Sequence, residues 1–277
     1  MKRVLVLGSS GQVGAGLVLD LKKQGYEVFE MDIVVDKEHD LRIKNSILQQ
    51  ILPNVDFVYF LAFDIGGSKY LESYQNTFEF IQNNIEIMEN TFRSLNNFDS
   101  KFLFASSQMA DMNYSTYGLL KLIGEKYCYS MEKAKIVRFW NVYGIEKVEA
   151  KFHVITDFIR MAKEDGVIKM RTDGEESRDF LHISDCSRAL IYIMENFNEI
   201  QKNIPLHIAS FKNTKIIEVA RIIANKFNAE IIKGAKQDLV QNNAMKEPDK
   251  SILEFWTPQI NIENGVSMII KDMENNE

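Results

Sequence analysis

Three features of this sequence predict an α/β fold built on a doubly wound parallel sheet with a smaller C-terminal lobe. Short apolar runs alternate with helical stretches through the first half, and a glycine-rich turn joins the first run to the first helix. The alternation loosens after Gly144, and three of the four prolines, Pro205, Pro248 and Pro258, fall in the last third.

The run "RVLVLG" (3–8) is continuously apolar, as a strand buried on both faces requires. In "GQVGAGLVLDLKKQG" (11–25), Val13, Leu17 and Leu21 share one helical face, and Gly25 supplies the stop. A second strand, "EVFEMDI" (27–33), follows at once, which makes the opening a right-handed crossover unit. Further strands are predicted at "VDFVYFLA" (55–62), "KFLFAS" (101–106) and "AKIVRFW" (134–140). Between the first two of these, Phe78, Ile81, Ile85, Met88, Phe92 and Leu95 recur at steps of three and four, a stripe expected to pack on the sheet. Strand-like "LHISD" and "PLHIAS", with the helix "CSRALIYIMENF" between them, predict that the chain returns to the first sheet near 180–210. The resulting division is 1–145 for the first domain and 146–277 mainly for the second lobe.

With 277 residues, 45% of them hydrophobic, the chain can bury a sizeable core. A net charge of -6, with 33 basic residues scattered among 39 acids, gives no basic field for nucleic acid. Cys128, Cys186, His39, His153, His182 and His207 lack metal-ligand spacing, so neither a disulfide framework nor a metal site is expected. The longest apolar run, "FVYFLAF" (57–63), is far too short for a membrane span, and the N-terminus lacks a signal-peptide core. The expectation is a soluble cytoplasmic protein with no membrane partner.

"GSSGQVG" sets Gly8, Gly11 and Gly14 between the first strand and the first helix, where backbone N–H groups and the helix N-terminus can meet a pyrophosphate. The spacing is G-x-x-G-x-x-G, and a glycine trio alone also serves simple turns. Asp32 ends the second strand, where a carboxylate can accept both hydroxyls of an adenosine ribose and repel a 2'-phosphate. This favours NAD over NADP, although Lys37 would weaken the preference if it folded back.

Tyr117 and Lys121 stand four apart and share a helical face, directly after the strand that carries Ser106 and Ser107. A phenol is a poor base at neutral pH; bringing its pKa from ~10 to about 7 takes roughly 4 kcal/mol, which a neighbouring ammonium is expected to help supply. One of the serines can hydrogen-bond the reacting hydroxyl. On a helix surface a tyrosine and lysine at this spacing are commonplace, and it is the position at the carboxyl end of the sheet that points to chemistry.

The combination "GSSGQVG", "FASS" and "STYGLLKLIGEKY" resembles the extended short-chain dehydrogenase/reductase superfamily, in particular its NAD-dependent nucleotide-sugar epimerases and dehydratases. "VRFWNVYG" (137–144), "GEESRDFLHISD" (174–185) and "EPDKSILEFWTPQINIENGV" (247–266) resemble later motifs of that family in the same order. The resemblance implies a Rossmann-type sheet that binds NAD and a C-terminal lobe that binds substrate. It makes Tyr117 the acid or base, Lys121 its partner, and Ser107 rather than Ser106 the hydroxyl on the sugar oxygen. Gly8, Gly11, Gln12, Val13 and Gly14 would receive the pyrophosphate, Asp32 the adenosine ribose, Asp40 and Leu41 the adenine, and Leu61 and Ala62 would line the cofactor channel. Asn141 would contact a nucleotide-diphosphate sugar, and Arg178 would pair with its diphosphate. Arg178 beside Asp179 could instead be a local ion pair, His182 reads as a strand residue, and Asn84 matches a structural asparagine.

Phe60 stands where relatives commonly carry histidine, and "DIGG" (64–67) is similar to a loop of epimerases acting on GDP-linked sugars. After Ser107, dehydratases of this family carry an Asp-Glu pair and a 3,5-epimerase carries cysteine at the second position; here Gln108 and Met109 cannot exchange a proton. Hydride return to the opposite face, a 4-epimerisation, is therefore expected, with net oxidation or reduction at one carbon as the alternative and a non-catalytic dinucleotide sensor as a third reading. The resemblance also implies a homodimer formed through the helices near 72–95 and 115–131.

Overall fold

The computed structural model describes residues 2–112, 114–146, 152–237 and 247–275. Its main sheet has six parallel strands in the order β2 (Glu27–Met31), β1 (Arg3–Leu7), β3 (Phe57–Phe60), β4 (Phe102–Ser107), β5 (Ala134–Phe139) and β9 (Leu206–Ile208). The chain steps outward from β1 to β2, then resumes at β3 on the other side, so a crevice opens at the carboxyl ends of β1 and β3.

Strand alternation sends two sets of side chains to opposite faces. Leu5, Val58, Phe60 and Phe104 meet Met88, Phe92 and Leu95 of α4 (Phe78–Asn97) and Leu120 of α5 (Thr116–Tyr129). Val4, Val6, Tyr59 and Leu103 meet Leu17 and Leu21 of α1 (Gln12–Lys23) and Leu190 and Ile193 of α7 (Ile183–Glu195). Phe60, in the place of the histidine, joins this packing edge-on to Phe92 at 5.1 Å and to Phe104 at 5.4 Å.

The stripe expected on α4 divides. Met88, Phe92 and Leu95 are buried, but Phe78 is 81% exposed and Ile85 40% exposed. The buried face instead runs through Phe80 and the wholly buried Asn84, because Thr77 caps the helix and turns Phe78 outward; its Oγ1 accepts from the Phe80 N–H at 3.2 Å.

The second lobe carries a three-stranded sheet, β10 (Asn213–Lys215), β8 (Ser177–His182) and β6 (Asn141–Tyr143), and a pair of β7 (Val167–Lys169) with β11 (Glu230–Ile232). Phe158 and Ile159 of α6 (Val154–Glu164), Ile217 and Ile223 of α8 (Ile216–Phe227), and Val266 and Ile269 of α9 (Ile262–Asn275) form its core. The segment 181–185 splits at a junction: His182 ends β8 and its Nδ1 accepts from the Ser184 N–H at 3.2 Å, which starts α7 at Ile183.

One buried charge pair ties α5 to the sheet. Glu125 is fully buried, and Arg138 of β5 donates to both its oxygens, Nε to Oε1 and Nη2 to Oε2, each at 2.8 Å. Ser106 donates to the same Oε1 at 2.5 Å. Removing only the cation strands a buried carboxylate, so Arg138→Met should lower unfolding stability by about 3 kcal/mol in a urea titration. The double variant with Glu125→Leu should recover part of that loss.

Candidate active site

The turn after β1 brings backbone against backbone. Gly8 has φ +83°, and a Cβ there would stand 2.7 Å from the Ala62 nitrogen; at Gly14 it would stand 2.0 Å from the Gly8 oxygen. Both positions therefore exclude any larger residue. A Cβ on Gly11 would meet only Gly8 O at 3.5 Å, so the surrounding chain does not demand that glycine. Gly11 is instead the N-cap of α1 and supplies no side-chain cap, which leaves the helix N-terminus available to an anion in the cleft. Gln12 braces the turn: in the amide orientation that satisfies both atoms, it donates to Val142 O at 3.1 Å and accepts from the Gly144 N–H at 3.3 Å.

Asp32 is held at the rim of this turn, with Oδ2 accepting from the Ser10 N–H at 3.0 Å and Oδ1 from the Val34 N–H at 2.9 Å. Each oxygen keeps a second lone pair, and the residue lines the cleft. Lys37 is exposed and begins a short helical turn away from the cleft lining. The nearby cation that does line the cleft is Arg42, missed from sequence; it pairs with Asp40 at 2.8 Å and holds the Asp40 carboxyl below the usual carboxylate range. Leu41 is buried between them. Leu61 and Ala62 line the same cleft beneath the loop pinned by Asn84, whose Oδ1 accepts from the Asp64 N–H at 2.7 Å.

At the far end of β4 the two serines point apart. Ser106 goes to Glu125, whereas Ser107 accepts from the Met109 N–H at 3.2 Å and stands close enough to the Tyr117 phenol to oppose the rise in its pKa. Gly118 lets α5 settle onto this turn, since a Cβ there would stand 2.0 Å from Met109 O. Gln108 and Met109 are buried beside Ser107, and Gln108 Oε1 has no hydrogen-bond partner.

Here the expected electrostatics are corrected. Burial pushes the Tyr117 phenol up to about 12, with the Ser107 hydrogen bond opposing it. Burial also pulls Lys121 down to about 7, with the Glu125 charge opposing. The ammonium is 5.8 Å from the Tyr117 ring centroid and donates instead to Ala105 O at 2.7 Å. Lys121 is not among the groups that shift the phenol, and the same desolvation drives each group toward its neutral form.

The substrate side is assembled from distant segments around a cleft of about 910 Å³. Asn141 donates to Asp179 O at 3.3 Å, and Arg178, nearly buried, lines the cleft with Nη1 on Ser177 O at 2.7 Å. The Asp179 carboxylate accepts from the Ser210 N–H at 2.6 Å and hydroxyl at 2.8 Å. Two further ion pairs border the cleft, Lys69 with Asp157 at 2.7 Å and Arg171 with Glu72, and His153 Nδ1 lies 2.6 Å from the Glu146 carboxylate. No local spacing joins Lys69 to Asp157 or Arg171 to Glu72, so nothing in the sequence could have found them. His182 ends β8 with its Nε2 buried without a partner, where the sequence predicts a satisfied strand residue, and burial lowers its pKa. Among the described residues there is no cluster suited to a metal and no helix long and apolar enough to cross a membrane.

Fold and cleft together define an enzyme of the extended short-chain dehydrogenase/reductase type. The chain belongs to the NAD dependent epimerase/dehydratase family, whose sequence model matches residues 4–209. It is 26% identical to a putative UDP-glucose 4-epimerase of Methanocaldococcus jannaschii, across 99% of each chain. It is 22% identical to UDP-glucuronic acid decarboxylase 1 of Arabidopsis thaliana, across 99% of this chain and 70% of that one. The solved structure of an epimerase from Methanothermobacter thermautotrophicus superposes with a TM-score of 0.85 at 20% identity, covering 99% of this chain and 93% of that one.

The residues of the turn fit a dinucleotide, and the fit depends on the absence of a side chain at Gly14. Gly14→Ala should cost at least tenfold in NAD affinity, measured by titration, because the turn has to open to admit the methyl group.

Proposed function

We propose that the protein is an NAD-dependent epimerase of a nucleotide-diphosphate sugar, acting at a ring carbinol, C4 in our reading. The observation that carries this reading is the pairing of Ser107 with Tyr117 beside two buried neighbours, Gln108 and Met109, that cannot carry protons. A carbinol can be oxidised and re-formed with one proton-transfer group; eliminating water or inverting a carbon next to the carbonyl needs a further acid or base.

In this reading the Tyr117 oxygen takes the proton of the sugar hydroxyl, and Ser107 holds the same oxygen as the proton leaves. Lys121 serves the ribose and supports the phenolate. Bound NAD supplies the hydride acceptor and donor. The backbone of Gly8, Gly11, Gln12, Val13 and Gly14 would hold its pyrophosphate, and Asp32 its adenosine ribose, with Asp40, Leu41, Leu61 and Ala62 along the channel. Asn141 and Arg178 would hold the sugar nucleotide, the guanidinium taking the diphosphate. Lys69 and Arg171 are committed to Asp157 and Glu72, which supports a neutral sugar over a uronic acid.

We also propose a homodimer. Phe78 and Ile85 of α4 and Leu119, Ile123 and Tyr127 of α5 are exposed apolar residues on helices that pack together. A surface of this kind matches a second copy of itself.

Purified enzyme incubated with UDP-, GDP- and dTDP-linked sugars should form an epimer with no net change in cofactor. Product that tracks NADH consumption would replace this reading with a net oxidoreduction, and release of CO2 from a UDP-uronic acid would replace it with decarboxylation. Tyr117→Phe should lower turnover by about 10²- to 10⁴-fold while NAD affinity stays within a few fold. Ile123→Arg should shift the sedimenting species from dimer to monomer.

A further inference from the structure

Phe63 follows directly on the cofactor channel, and none of the roles above uses it. Its ring covers the Lys121 ammonium, with Nζ 3.6 Å from the ring centroid, and meets the Tyr117 ring edge-on at 5.8 Å. An ammonium has three N–H donors. One is taken by Ala105 O at 2.7 Å, and Nζ otherwise faces the rings of Phe63 at 3.6 Å and Phe104 at 5.1 Å. While Phe63 holds this position, a ligand hydroxyl cannot approach Nζ from its side of the cleft.

The backbone on either side is pinned. Leu61 N–H donates to Leu7 O at 3.0 Å, Asp64 N–H donates to Asn84 Oδ1 at 2.7 Å, and Asn84 Nδ2 returns to Asp64 O at 3.1 Å. The Phe63 side chain itself is only half-buried and lines the cleft. The ring can therefore leave by rotating about its own side-chain bonds, with no opening of the loop.

We propose that Phe63 is a positioning residue for Lys121: its ring covers the ammonium and swings aside when a ligand hydroxyl takes its place. The inference rests on the reading of Lys121 as part of the NAD site. It has an electrostatic consequence. With burial holding it near a pKa of about 7, Lys121 in the closed cleft loses its proton in the neutral range, and a ligand that needs the charged form must bring the proton back. The charge that acts on it is that of Glu125 on the same helix, and the Tyr117 ring centroid lies 5.8 Å from Nζ. Glu125 is committed to Arg138 and Ser106, and Asp64 accepts from Tyr70 at 2.6 Å. These pairings do not involve Phe63, whereas the Tyr117 ring does meet it, so the phenol also gains water when the ring is removed.

The test is NADH binding followed by nucleotide fluorescence across the neutral and alkaline range, in the parent, Phe63→Ala and Phe63→Leu. In the parent, affinity should fall by up to ~10-fold per pH unit above a bend at about 7. Phe63→Ala should bind roughly 2- to 25-fold more tightly, since no ring contact has to be broken. Its bend should move to higher pH, since water then reaches Nζ and restores the charged form. Phe63→Leu, which keeps apolar bulk without the aromatic face, should fall between the two and decides the matter if the alanine variant does not fold. Calorimetry in buffers of different ionisation heat should find uptake of about one proton by the parent on the alkaline side of the bend, and less by Phe63→Ala. Unchanged affinity curves in both variants would overturn the lid while leaving the NAD site intact. Weaker binding in both would also overturn it, making the ring part of the cofactor platform. Failure of the parent itself to bind NADH would overturn the cofactor reading and the lid with it.

Discussion

The position of every reacting group in this protein depends on how α5 lies against the sheet, and a single buried ion pair, Glu125 with Arg138, sets it. The pair joins the middle of α5 to β5, and Ser106 extends it to β4, so three elements converge on one carboxylate. Such a pair adds little net stability, because two charges lose their water to form it. Its contribution is geometric. A helix held only by Leu120 and Cys128 could slide along the sheet, whereas a two-pronged guanidinium on a carboxylate tolerates one register. In that register Tyr117 meets Ser107, and Lys121 reaches the carbonyl of Ala105.

The same burial that orders the site biases its chemistry. A phenol and an amine withdrawn from water are both driven to their neutral forms, which is the reverse of what a base and its cationic helper require. Phe63 and Phe104 enclose the ammonium, while the glycine turn and Asp32 line the same cleft.

Much of this was legible in the residue order because it rests on local rules. Parallel strands buried on both faces must be apolar throughout, and "RVLVL" and "FVYF" are. A turn in which backbones touch must be glycine, and Gly8 and Gly14 are such positions. Spacing also reported the shared face of Tyr117 and Lys121. Where local rules compete, spacing alone does not decide: the α4 stripe predicts burial for most of its positions, yet a cap at Thr77 turns Phe78 outward and a polar residue, Asn84, takes an inside position to anchor the loop after β3.

The amino-acid sequence by itself determined the alternating elements, the glycine turn, the carboxylate after β2 and the replacement of proton-bearing groups by Gln108 and Met109, because each is a property of residues close together in the chain. Only the tertiary structure decided that Ser106 is tied to Glu125, that Phe63 covers Lys121, and that Lys69 and Arg171 are paired across the substrate cleft. Those outcomes depend on desolvation and on contacts between segments separated by 88 or 99 residues, and neither leaves a periodic mark in the sequence.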